Sequence, residues 1–197
     1  MADPDVKSML SPMPKVQEEI SADVTTKFNI HAFWQTSGAA HGATDGPPLK
    51  QLRLLLARVR EAPGVQLFDA MEAGVPTGII KLIANASGVS AAVIMRLAGI
   101  SPSTFVRHEV ANKPLPDAAG HRMMAYLRLL ATLRQLLEES GDPGQMKSFN
   151  PEQWMVHWVQ ERLPELGDKS PADMLRNPEG QRAVEQVLER MRGGLAA

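Results

Sequence analysis

The chain contains no cysteine in its 197 residues. This removes disulfides and thiolate metal sites and fits a reducing cytoplasm. Aromatic residues are 5% of the total, too few for a base-stacking platform. No apolar run approaches the length a bilayer requires. The acidic opening MADPDVKSML does not read as a signal peptide, so a soluble, cytoplasmic protein with no membrane partner is expected. Site chemistry is equally sparse. The five histidines (31, 41, 108, 121 and 157) form no i,i+3 or i,i+4 pair with one another, so no metal is expected. The segment GDPGQMKS (141–148) has Met146 where a phosphate-binding loop has the glycine before its lysine. No strand pattern precedes it, and it reads as a turn. No serine–histidine or paired-carboxylate arrangement stands out. Catalytic residues and cofactors are therefore expected to be none, and the protein is expected not to be an enzyme.

Charge of one sign is lacking overall, but its distribution is uneven. The formal net charge is −1, and 44% of residues are apolar, enough for a packed core. Residues 1–47 carry three lysines against six acids, and residues 148–197 six basic groups against eight acidic ones. Residues 76–115 carry Lys81, Arg96, Arg107 and Lys113 against Glu109 alone, a net +3. Such an island suits phosphate contact, although a solvated face is the plain alternative.

The island coincides with residues 88–115, GVSAAVIMRLAGISPSTFVRHEVANKPL. Two short helices are predicted there, opened by Ser90 and Ser101 as N-caps. The staple pairs are Val89 with Ile94 and Ile100 with Phe105. Pro102 takes the first helical position, and Gly99 supplies a turn that tolerates positive φ. Helix, glycine turn, helix is the helix-turn-helix order. A plain helical corner in a core has the same spacing. In the helix-turn-helix reading Ile94, Ala98, Ile100 and Phe105 face inward. Pro102, Ser103, Val106 and Arg107 face outward, where a recognition helix meets base edges.

The rest of the chain reads as helix throughout. Residues 1–47 are broken by prolines and glycines and read as a weakly ordered arm, dispensable for folding. Only residues 28–34, FNIHAFW, are apolar enough to pack on the body or a partner. Residues 48–75 predict two helices, the first striped by Leu49, Leu52, Leu56 and Val59. Residues 76–140 predict the helix-turn-helix domain, with a supporting helix before it and a long helix from Asp117 to Ser140 after it. The long helix carries Met123, Tyr126, Leu127, Leu130, Leu133 and Leu137, widened by Leu129 and Leu136. So wide a stripe bridges two lobes or a dimer interface. Residues 148–197 repeat a capping residue followed by proline at Asn150, Ser170 and Asn177. The last helix stacks Ala183, Val184, Val187, Leu188 and Met191 on one face and ends at Gly193. No period-two pattern occurs, and the fold class is all-α.

The C-terminal spacing is specific. Trp154, Leu166, Gly167, Ser170, Pro171, Leu175, Gly180, Val184, Leu188, Arg190, Gly194, Leu195 and Ala197 resemble the toxin-binding domain of the Xre/MbcA/ParS antitoxin family. GVS…LAGIS.ST..R resembles that family's N-terminal helix-turn-helix, and together the matches cover residues 75–197. The resemblance implies an Xre-like helical bundle followed by a small helical toxin-binding domain. It also implies a homodimeric antitoxin of a bacterial toxin–antitoxin pair. Such a protein covers the active site of a cognate, NAD-consuming RES-type toxin and represses its own operon by binding operator DNA. The implied DNA contacts are Ser101, Ser103, Thr104, Arg107, His108 and Lys113. The implied toxin contacts are Arg190, Arg192, Gly194, Leu195 and Ala197. Ser103 and His108 stand where the family often carries basic residues, which implies weaker phosphate contact. The alternative is a solitary helix-turn-helix regulator whose C-terminal domain only dimerises.

Overall fold

In the computed structural model, residues 30–35, 47–140 and 149–191 are described. Among them ten α-helices and one 3-10 turn follow one another. They are α1 (Ile30–Trp34), α2 (Pro48–Glu61), α3 (Gly64–Glu72), α4 (Gly78–Ser87), α5 (Ala91–Ala98), α6 (Pro102–Val110), α7 (Asp117–Ser140), α8 (Pro151–Trp158), the 3-10 turn Pro164–Leu166, α9 (Pro171–Met174) and α10 (Pro178–Arg190). An isolated bridge, Leu163 with Lys169, interrupts the helical pattern. The protein is all-α, as the periodicity indicates.

The axis is α7, whose 24 residues span about 36 Å at 1.5 Å each. Its main stripe and both widening leucines are buried. The neighbours that cover it are α2, α5, α8 and α10, so it bridges the N-terminal and C-terminal parts of one chain. Helix α4 packs on α2, α5 and α8, with Ile79, Ile80, Ile83 and Ala84 inward. On α2 the stripe is Leu52, Leu55, Leu56 and Val59, all buried.

A charged contact closes the seam between the two parts. Arg134 of α7 donates to the carboxylate of Glu152 in the first turn of α8 at 2.5 Å, and the Glu152 side chain is 1% exposed. The helix N-terminus favours a carboxylate there. An uncompensated charge at that depth would be strongly destabilising.

The dispensability expected of residues 1–47 is corrected at α1. Phe33 is 4% exposed and belongs to the core. It meets Trp34 edge-on at 5.0 Å, and the Trp34 indole N–H donates to the Ala70 carbonyl at 3.2 Å. Arg58 reaches back from α2 to the carbonyls of Ala32 at 3.0 Å, Phe33 at 3.1 Å and Gln35. It thereby satisfies the acceptors left over at a helix C-terminus. Composition showed a polar arm; the long-range partners on α2 and α3 are what bind this piece of it. Phe33→Ala is expected to cost about 3–5 kcal/mol, the usual range for emptying a buried phenylalanine site. An unchanged urea midpoint would show that α1 contributes nothing to folding.

Candidate functional site

Helices α5 and α6 form the predicted pair. Ile94, Ala98, Ile100 and Phe105 are buried, while Pro102, Ser103, Val106 and Arg107 are exposed. Ser101 caps α6 as expected, its hydroxyl accepting from the Thr104 backbone N–H at 3.2 Å. The same oxygen lies 3.0 Å from the Ser103 hydroxyl and donates to that of Thr104 at 2.9 Å. These three candidate DNA contacts thus hold one another at the helix start. Ser90 departs from expectation. It sits at the N-cap of α5 in extended conformation, but its side chain makes no capping bond. The backbone carbonyl of Ser90 accepts from Val93 N–H instead.

The turn between them is fixed twice. Gly99 has φ 68°, where a side chain costs about 1–2 kcal/mol. A Cβ built on it would also fall 1.6 Å from Nη1 of Arg122. That nitrogen donates to the Ala98 carbonyl at 3.3 Å, so a cation from α7 caps the C-terminus of α5. At the far end of α6, Asn112 takes φ 50° and ends the helix as glycine does elsewhere. His108 is half-buried, and its Nδ1–H donates to the Pro114 carbonyl at 2.5 Å, which ties the ring to the following loop.

Charge on this face is sorted by pairing. Glu109, the single acid of the basic island, accepts from Lys81 of α4 at 2.6 Å. Lys81 also lies 6.0 Å from the centre of the Phe105 ring. Arg96, Arg107 and Lys113 are exposed, and none of them makes an ion pair among the described residues. The surface left facing solvent is cationic.

In the C-terminal part, each predicted cap is formed. Asn150 accepts from Gln153 N–H at 3.0 Å, Ser170 from Asp173 N–H at 3.2 Å, and Asn177 from Gly180 N–H at 2.8 Å. Val184, Val187 and Leu188 are buried, so the apolar face of α10 is internal packing. A Cβ on Gly180 would lie 2.0 Å from the Met174 carbonyl, so only glycine lets α10 sit against α9. Arg162, Lys169 and Arg176, with Asp168, Asp173 and Glu179, line an open cleft of about 670 Å³ together with Met174 and Gly180. Sequence reading missed this cleft, because its charges come from three separate loops and caps. Arg190 is exposed at the end of α10, about 15 Å along the helix from the cleft. Arg192, Gly194, Leu195 and Ala197 lie outside the described residues, as does the 141–148 turn.

Where α4, α7 and α8 meet, Tyr126 is buried. Burial, with the Glu152 carboxylate nearby, pushes its phenol well above the usual range, so it stays neutral. Among the described residues no cluster of histidine, aspartate and glutamate could hold a metal ion. No helix among them is long and apolar enough to cross a membrane.

A glycine-turned helix pair with a cationic outer face is joined through α7 to a capped helical C-terminal unit. Comparison with known proteins gives the C-terminal unit a family likeness. Residues 133–194 match the antitoxin Xre/MbcA/ParS C-terminal toxin-binding domain. Over 141 residues the chain is 27% identical to the Prs ADP-ribosylating antitoxin of Sphingobium sp. (strain YBL2), covering 72% of this chain and 86% of that protein. The C-terminal part is thus similar to the toxin-binding domain of Xre/MbcA/ParS antitoxins, as the C-terminal spacing indicates, and the chain as a whole is similar to an antitoxin.

Gly99→Ala is expected to destabilise by more than the strain of its φ, because Arg122 must also move. In an Arg122→Ala background the same substitution should cost only about 1–2 kcal/mol. Equal costs in the two backgrounds, read from urea unfolding, would show that Arg122 does not crowd the turn.

Proposed function

We propose that this protein binds a cognate toxin through its C-terminal domain, inhibits it by steric cover, and represses its own operon through α5 and α6. The match of residues 133–194 to a toxin-binding domain carries the first half. The name of the Sphingobium relative, an ADP-ribosylating antitoxin, supports a system whose chemistry consumes NAD, because ADP-ribosylation draws its ADP-ribose from NAD. A toxin of the RES type is what the family resemblance implies. The protein works in the cytoplasm by occupying its partner, without turnover and without a cofactor. Buried Val184, Val187 and Leu188 leave the polar end of α10 and the tail as toxin contacts: Arg190, Arg192, Gly194, Leu195 and Ala197. Residues 195–197 carry no charged side chain.

For DNA, Arg107 reads a base or phosphate, Lys113 and Arg96 hold the backbone, and Ser101, Ser103, Thr104 and His108 line the same helix. Three unpaired cations are few for tight binding, so a homodimer presenting two recognition helices is the form that binds operator.

Arg107→Ala should weaken binding to the promoter of its own gene roughly tenfold or more, since one good base contact contributes about 1–3 kcal/mol. An anisotropy titration with unchanged affinity removes Arg107 from the site. Truncation after Arg192 should leave helicity and DNA binding as they are, yet abolish protection of cells expressing the cognate toxin. Full protection by the truncated chain would exclude the tail from inhibition.

A further inference from the structure

The solvent face of α6 carries Ser103, Val106, Arg107 and Val110, spaced i, i+3, i+4 and i+7. Two of the four are apolar, with Val106 53% and Val110 82% exposed. Phe105, on the opposite face, already supplies the contact of α6 with the core, so stability gives no reason for valine at 106. The Ser103 hydroxyl is engaged with Ser101 at 3.0 Å. Beyond the first turn of α6, Val106 and Arg107 are adjacent exposed side chains.

We infer that Val106 is a specificity-determining residue that packs its methyl groups on the C5 methyl of a thymine in the major groove. It does so beside the base or phosphate that Arg107 engages. This rests on the DNA-binding reading of α6. Thymine's methyl is the apolar group that the major groove offers, and cytosine presents an amino donor instead. A valine set against that amino group would strip it of water and return no hydrogen bond. The recognised sequence is therefore fixed to an A·T pair next to the Arg107 contact. Charge favours DNA over a protein as the occupant of this face. Glu109 is turned back to Lys81 at 2.6 Å, and Arg96, Arg107 and Lys113, on or beside the same helix pair, remain exposed. A lone valine is also a poor anchor for a protein partner, where tryptophan, tyrosine and arginine dominate.

The test is an anisotropy titration of the full chain with the promoter duplex of its own gene. One duplex carries thymine and the other deoxyuridine throughout, which deletes the methyl groups alone. Wild type should bind the thymine duplex about fourfold more tightly for the contacted methyl, the effect of burying one such group. Val106→Ala should bind both duplexes alike, with the salt dependence of wild type. Val110→Ala, a more exposed valine one turn on, should keep the discrimination. Both variants are surface changes, and circular dichroism checks their helicity. Wild type that binds DNA but ignores the methyl overturns the inference and leaves the DNA-binding reading standing. Val106→Ala that still discriminates overturns it in the same way. Wild type that does not bind the duplex at low salt overturns the DNA-binding reading and this inference together.

Discussion

A long helix with leucine on more than one face cannot be left in water, and the other elements of this chain are arranged by the need to cover α7. Leu127, Leu129, Leu130 and Leu133 are each essentially inaccessible, although Leu127 and Leu129 lie 200° apart on a helical wheel. No single neighbour can bury both. Helix α2 covers one side, α5 another, and α8 and α10 a third. The glycine-turned helix pair and the C-terminal unit are thus built on the same core. Their mutual placement is set by side-chain packing on one rigid rod, which a flexible linker would not do.

Charge is handled by the same economy. At a net −1 the chain carries no strong overall field, and a local cationic face has to be made by pairing. Lys81 holds Glu109 away from the outer face of α6, and Arg134 neutralises Glu152 inside the seam. Two further ion pairs, Arg176 with Asp173 and Arg182 with Glu179, are exposed i,i+3 contacts that contribute at most a few tenths of a kcal/mol. What α6 presents is the remainder, and it is cationic because one local acid is spent on α4.

Sequence was most informative where local chemistry decides the outcome. Asn150, Ser170 and Asn177 before proline cap their helices, since capping involves residues only three apart. The inward set Ile94, Ala98, Ile100 and Phe105 is also buried, because a glycine turn fixes the phase of two helices at once. Ser90 shows the limit of such reasoning: its backbone takes the N-cap geometry, and the hydroxyl is not needed for it. Contacts across many residues were not legible. Phe33 in the core, Arg58 on the end of α1, Arg122 over Gly99 and Glu152 beneath Arg134 all depend on which helices the long axis brings together. Gly180 is an intermediate case. Its place in the family spacing was visible, but its cause, a carbonyl of α9 where a Cβ would be, is tertiary.

The seam between the two parts has a further property. The stacked rings of Trp154 and Trp158, 5.6 Å apart, and the Arg134–Glu152 pair lie at this joint, and the Tyr126 phenol of α7 meets the Ser87 hydroxyl of α4 there. Helices α4 and α7 both rest on α8, and α4 is the element that aligns Lys81 with Glu109 of α6. Any displacement of α8 must be transmitted to α4 or must open a tightly packed core, where a gap is expensive. The outer face of α6 and the C-terminal unit therefore rest on one continuous core.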